Sequence, residues 1–168
     1  MLDPDSARLL RSLVHGRDVA ALATLHEGRP FASMIPFAAR LDAGRLRLIT
    51  HVSRLAAHTR DMLVAPEVCL LITAPESADV PPQALPRVSI AAVAEFVPPD
   101  HPDFGSLKAC YLEKFPHAAD LFLLGDFSIV VLDPTSARFI GGFARAMTLN
   151  PESLAAAVAA ADARGTEA

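Results

Sequence analysis

Apolar positions along the chain follow two periods. In residues 5–15, Leu9, Leu10, Leu13 and Val14 fall on one side of a helix, and Gly16, tolerant of left-handed backbone, ends it. Residues 19–25 form a short apolar strand, and His26-Glu27-Gly28-Arg29 a turn. Residues 31–40 form a second strand with Phe31, Ser33, Ile35 and Phe37 on one face; Pro36 within it marks an edge position or a bulge. Asp42-Ala43-Gly44 leads into a third strand, 46–51, in which Leu46, Leu48 and Thr50 alternate with Arg47, Ile49 and His51. Such tight turns exclude a doubly wound parallel sheet, which needs a long crossover between successive strands.

Residues 53–64 are expected to be helical, with Ser53 as N-cap, Pro66 just past the end, and Leu55, Met62 and Leu63 on one face. Strands follow at 68–73 and 87–97, separated by a proline-rich loop. Pro98, Pro99 and Pro102 break the chain, and helical segments at 103–115 and 117–124 are split by Pro116. Two strands, 127–132 and 137–143, are separated by a turn at Asp133-Pro134. Asn150-Pro151-Glu152 starts an Ala-rich helix to about residue 163, and a polar tail follows. The expected class is mainly β (α+β), an antiparallel barrel or sandwich with flanking helices.

With 168 residues and 52% hydrophobic content, the chain is long enough for one domain with a real core and too apolar for disorder. No apolar run is long enough to span a bilayer, and the start, Met1-Leu2-Asp3-Pro4-Asp5, lacks the apolar stretch of a signal peptide, so the expected location is cytoplasmic. Cys69 and Cys110 stand alone in apolar stretches and read as buried thiols in a reducing compartment.

Charge changes the picture locally. The chain is net −4, and 13 of its 15 basic residues are Arg. Residues 29–60 hold Arg29, Arg40, Arg45, Arg47, Arg54 and Arg60 against one acid, Asp42, so this window carries +5 and the remainder −9. A compact basic patch on an acidic protein suits a small anionic ligand better than a nucleic acid; the alternative is solvated surface arginines. Within the window a strand ends and a helix begins. Helix-start amides, the hydroxyls of Thr50 and Ser53, and the guanidinium groups of Arg54 and Arg60 together would make an anion site. An ordinary capped helix with exposed arginines is the plainer reading.

Four stretches carry a resemblance over residues 10–155. They are the strand–glycine turn–proline–strand pattern from Ala23-Thr24-Leu25 to Phe37; Ser53-Arg54-Leu55-Ala56-Ala57-His58-Thr59-Arg60-Asp61; Pro86-Arg87-Val88-Ser89; and Tyr111-Leu112-Glu113-Lys114-Phe115-Pro116, leading through Gly125-Asp126-Phe127 to Phe139-Ile140-Gly141-Gly142-Phe143-Ala144-Arg145-Ala146. The chain resembles the FMN-binding split-barrel family, which includes pyridoxamine 5′-phosphate oxidase, and within it the branch related to bacterial haem-utilisation proteins. The resemblance implies a six-stranded antiparallel split β-barrel over residues 1–150, with a C-terminal helix and tail over 151–168. It also implies a homodimer with two FMN sites at the subunit interface. The phosphate would lie by Thr50, Ser53, Arg54, His58, Thr59 and Arg60, the flavin ring along Ser33, Met34 and Ile35, and Arg87 would border the site. FMN is the expected cofactor, with haem as the alternative.

Two departures bear on the reaction. Pyridoxamine phosphate oxidases place an Arg near the position of Ser33 and end in an Arg-rich motif, whereas this chain ends in an Ala-rich helix. Haem-degrading relatives bind iron through a histidine in the C-terminal tail, and the last histidine here is His117. The expected function is a flavin-dependent oxidoreductase acting on a small molecule. The alternatives are a haem- or tetrapyrrole-binding protein of haem utilisation, or a non-catalytic dimeric binding module. Neither a nucleic-acid nor a membrane partner is expected.

Six histidines show no metal-ligand spacing. His58 is the best of them for a cofactor contact, with helix packing as the alternative. Asp126 either orients a site group or turns the chain before Phe127. Tyr111 is expected to pack a helix on the barrel with its hydroxyl at the surface, and Gly141-Gly142 to mark a bulge or a close backbone approach.

Overall fold

The structure is a computed structural model and describes residues 2–142 and 145–159. Helix α1 (Pro4–Gly16) is followed by strands β1 (Val19–His26), β2 (Arg29–Pro36), β3 (Ala38–Asp42) and β4 (Arg45–Ser53). Then come α2 (Ala57–Val64), β5 (Glu67–Thr73), a 3-10 turn (Pro82–Ala84) and β6 (Arg87–Val97). Helix α3 (Phe104–Lys114), a 3-10 helix (Pro116–Leu123), β7 (Phe127–Ile140), β8 (Ala146–Leu149) and α4 (Pro151–Ala159) complete the order.

All strand pairs are antiparallel, in the order β2-β1-β5-β6-β7-β4-β3, with β8 added to β7. The expected mainly antiparallel architecture with flanking helices is present, built from eight strands rather than six. The long strand expected over 31–40 divides at Phe37, where Pro36 ends β2 and β3 turns to pair with β4. The two strands expected either side of Asp133-Pro134 are instead one, β7. Its ladder with β6 slips so that Ala91 faces Ser136 and Ala92 faces Pro134, leaving Thr135 as an extra residue. A bulge there accommodates the proline without a break. Residue Phe143, expected in that strand, lies outside the described residues, as do the helix residues expected beyond 159.

Both short hairpins use left-handed pairs: Glu27 and Gly28 have φ of 52° and 74°, and Ala43 and Gly44 have 47° and 80°. These are the turns whose twist matches paired strands. Asp3 caps α1 through its carboxylate, which accepts from the Ser6 amide at 3.0 Å. Asn150 caps α4 through the Ser153 amide at 2.9 Å.

Two cores meet at the sheet. Leu22, Ile35, Leu48, Leu70, Ile90, Val130 and Phe139 fill the inner one, closed by Leu10 and Val14 of α1 and Leu154 and Val158 of α4. The second packs Leu107, Tyr111 and Phe115 against Ile49, Val97, Ile129 and Val131 on the opposite face. That is why β4 is buried continuously from Leu48 to Val52 instead of alternating: both of its faces are covered. Among the described residues, no helix is long and apolar enough to cross a membrane.

Candidate functional site

The end of β4, the start of α2, the edge strand β2 and the loop before β7 converge on one region. Thr50 is fully buried and donates from Oγ1 to the Pro36 carbonyl at 2.8 Å, tying β4 to the end of β2. Thr59, also fully buried, donates to the Ser53 carbonyl at 2.7 Å and anchors α2 to β4.

Ser53 does not cap a helix from 53 to 64, as its sequence position suggests. It is the last residue of β4, and its Oγ donates to Asp126 Oδ2 at 2.6 Å while accepting the Leu55 amide at 3.1 Å. The Arg54 amide donates to the Asp126 carbonyl at 2.7 Å, and the Arg54 guanidinium donates to the Gly125 carbonyl. Asp126 therefore both orients a site hydroxyl and shapes the turn before Phe127. Helix α2 starts four residues later than expected, behind Ala56, with no side-chain cap. Its expected apolar face is not formed: Met62 is buried, while Leu55 and Leu63 are exposed.

The remaining expected residues divide by face. On β2, Ser33 pairs with Leu22 and Ile35 with Ala20, so both point to the inner side; Met34 pairs with Ala21 on the outer side and is 63% exposed. Ile35 belongs to the core, and only its backbone is open to a ligand at the sheet edge. Ser33 Oγ is buried with no hydrogen-bond partner among the described residues. Arg87 donates to the carbonyls of Gln83 at 3.2 Å and Leu85 at 3.1 Å, and opens β6 opposite Ile140, at the end of β7 remote from Phe127 and Ser53. His58 is half-buried; burial pushes its pKa down and the nearby Asp61 carboxylate opposes this.

The basic window is largely neutralised once folded. Arg45 pairs with Asp133 at 2.6 Å, Arg47 with Asp103 at 3.6 Å, and Arg40 with Asp42 at 3.2 Å while also donating to Ser106. With Arg54 on a carbonyl, only the Arg29 and Arg60 guanidinium groups of the six are without a partner among the described residues.

A polar triad escaped the sequence reading. Asp61 of α2 is buried and accepts Thr24 Oγ1 at 2.8 Å on one oxygen and His26 Nδ1 at 2.7 Å on the other. Burial alone would raise the Asp61 pKa; the hydrogen bonds from His26 and Thr24 outweigh it and hold the carboxyl below the usual range. The bond to Asp61 occupies His26 Nδ1 and leaves Nε2 without a hydrogen-bond partner among the described residues. The one available signal was an acid within a short helix otherwise packed on the barrel.

On the far side of β4, His51 is buried, stacked on Phe122, and surrounded by Tyr111 and Phe127. Its Nδ1 has no partner among the described residues, and burial, helped by Lys108, pushes its pKa down to about 4. Tyr111 is buried rather than reaching the surface, and burial pushes its phenol up to about 12. A Cβ added at Gly141 would lie 3.1 Å from the Phe139 ring. Cys69 and Cys110 are free and half-buried, and burial raises both thiols.

An antiparallel barrel-like sheet with a strand–helix junction set against an edge strand defines the class, a split-barrel protein. The sequence profile of the pyridoxamine 5′-phosphate oxidase family matches residues 7–141, and the chain belongs to that family. It is 31% identical over 140 residues to the chloroplastic haem oxygenase HOZ of Arabidopsis thaliana, covering 82% of this chain and 40% of that protein. Identity to the haem oxygenase HutZ of Vibrio cholerae is also 31% over 140 residues, covering 82% of this chain and 77% of HutZ. A haem-binding protein from Mycobacterium smegmatis superposes with a TM-score of 0.79 at 30% identity, over 93% of this chain and 62% of that one. The chain thus spans under half the length of the plant relative and under two thirds of the mycobacterial one.

Proposed function

We propose that this chain is a haem-binding member of the family, acting in haem utilisation as a homodimer. The observation that carries the reading is the 31% identity to two haem oxygenases across 140 residues, 82% of this chain. The geometry supports it by what it withholds from a flavin phosphate. Thr50, Ser53, Arg54, Thr59 and Arg87 are all engaged within the chain, and the Asp126 carboxylate on Ser53 opposes a dianion. Haem asks for less from hydroxyls: an apolar surface, cations for two propionates and an imidazole nitrogen. Those are present in exposed Phe31, in Arg29 and Arg60, and in the histidines near α2. Bound haem supplies redox chemistry at iron; the chain's own part is to bind and orient it.

Flavin binding is the second reading. One observation favours it: α2 begins without a side-chain cap, and the Arg60 guanidinium in its first turns has no partner among the described residues, which together suit an anion. In that reading Ser33, Met34 and Ile35 meet the ring and His58, Thr59 and Arg60 the phosphate.

Dimerisation is supported by the outer face of β2-β1-β5-β6. Met34, Ala21, Leu71 and Ser89 form one row across it, and Ala32, Ala23, Cys69 and Ala91 the next, with no charged residue in either. The deciding experiment offers haem and FMN separately to purified protein, followed by desalting and absorbance spectra. A retained Soret band is expected. Retention of FMN alone would replace haem with flavin, and retention of neither would leave a binding module.

A further inference from the structure

We infer that His26 is the residue through which this chain ligates haem iron, with Asp61 and Thr24 as its positioning residues; this rests on the haem-binding reading. Three independent features meet at His26.

The first is the hydrogen-bond chain. Asp61 Oδ1 holds His26 Nδ1 at 2.7 Å, and Thr24 Oγ1 holds the other carboxylate oxygen at 2.8 Å. Asp61 and Thr24 are buried, while the His26 side chain is 42% exposed. The imidazole is thus anchored at one nitrogen and open at the other. A carboxylate on the far nitrogen is the usual support of a metal-ligating histidine, since it fixes the tautomer and raises basicity.

The second is the comparison with the other histidines. His51 is enclosed by aromatic rings. His101 accepts the Asp103 amide on Nδ1, which places its proton on Nε2. His117 packs edge-on to Phe115, and neither it, His15 nor His58 bonds a carboxylate. Among the described residues, only His26 combines a carboxylate anchor with an open nitrogen.

The third is charge and cover. Of the six arginines in the basic window, the two without a partner among the described residues are Arg29, which faces His26 across the β1–β2 hairpin, and Arg60, which precedes Asp61. They can meet two propionates while the Phe31 ring, 5.5 Å from that of His26, offers an apolar wall.

Ferric haem is titrated into wild-type protein, His26→Ala, Asp61→Asn and His117→Ala, and followed by the Soret band and by electron paramagnetic resonance. His26→Ala should shift the Soret band and lose the histidine-ligated signature, and added imidazole should restore it. Asp61→Asn should weaken haem affinity by about tenfold or more. His117→Ala should match wild type. If wild type binds no haem, the haem-binding reading itself fails. If wild type binds and His26→Ala keeps the same spectrum and affinity, or His117→Ala loses the signature instead, the assignment to His26 is overturned. A far-ultraviolet spectrum and melting curve for each variant separate lost ligation from lost folding.

Discussion

His51 lies flat on Phe122, with ring centroids 3.8 Å apart and planes inclined by only 6°. The stack holds a titratable ring in an aromatic pocket where burial, with Lys108 nearby, lowers its pKa to about 4. An unfolded histidine protonates near pH 6.5, so the unfolded state binds an extra proton between that pH and about 4. Stability should be unaffected above pH 6.5, fall as the pH drops toward 4, and level off below. The loss is at most roughly 3.5 kcal/mol, at about 1.4 kcal/mol per tenfold in proton affinity. His51→Phe keeps the stack and removes the proton site. Urea denaturation at pH 7 and pH 4.5 should show a smaller gap for the variant than for wild type; equal gaps would move the acid sensitivity elsewhere.

Asp61 answers to a different range. Its carboxyl is held below the usual value in the folded protein, so its contribution is present above the unfolded pKa of about 3.9 and is lost as the pH falls through the folded one. Asp61→Ala leaves the buried Thr24 hydroxyl without an acceptor and should cost about 1–3 kcal/mol at neutral pH. Thr24→Val should relieve much of that cost in the double variant, because the orphaned hydroxyl is gone. Additive losses in a denaturation cycle would show that the pair is not coupled.

How far these groups could be read from sequence depends on the range of the contact. Short apolar runs were enough to place β1, β5 and β6, where Ala20, Leu22, Leu70, Ile72, Val88 and Ile90 face the core. The turn expected at Asp133-Pro134 did not form, because a local turn signal is overridden when a bulged ladder with β6 carries the strand through. The helix start expected at Ser53 also failed: its hydroxyl does accept an amide two residues on, but it also donates to a carboxylate 73 residues away, and β4 runs through it. The basic window was real as composition, yet Arg45 pairs with Asp133, 88 residues distant, and nothing local announces that. The triad of Thr24, His26 and Asp61 likewise joins a hairpin to a helix across 35 and 37 residues. The barrel class was therefore legible, while the roles of individual polar groups waited on tertiary pairing.

Asp126 offers a direct test of the flavin reading. Its carboxylate sits on Ser53 beside the residues that would hold a phosphate, and an uncharged amide in its place retains an acceptor for Ser53 Oγ while removing the repulsion. If FMN binds there, Asp126→Asn should bind FMN severalfold more tightly and riboflavin, which lacks the phosphate, no more tightly. Fluorescence quenching titrations at two salt concentrations measure both. A variant that changes FMN and riboflavin affinity alike would place the phosphate away from α2.

The outer face of β2-β1-β5-β6 makes the last prediction. Leu71 sits at its centre, flanked in register by Ala21 and Ser89, and is 38% exposed; Val93 on the neighbouring strand is 39% exposed. Small neighbours let a second sheet approach closely, and a large apolar side chain at the middle of such a face is where binding energy concentrates. A charge buried there without a partner would cost several kcal/mol on association and nothing in the monomer, where the side chain already meets solvent. Leu71→Arg should therefore shift the protein from dimer to monomer in sedimentation while leaving its melting curve cooperative. Val64→Arg, on the exposed end of α2 away from this face, should leave the dimer intact. A Leu71→Arg protein that still sediments as a dimer would assign the interface to another surface.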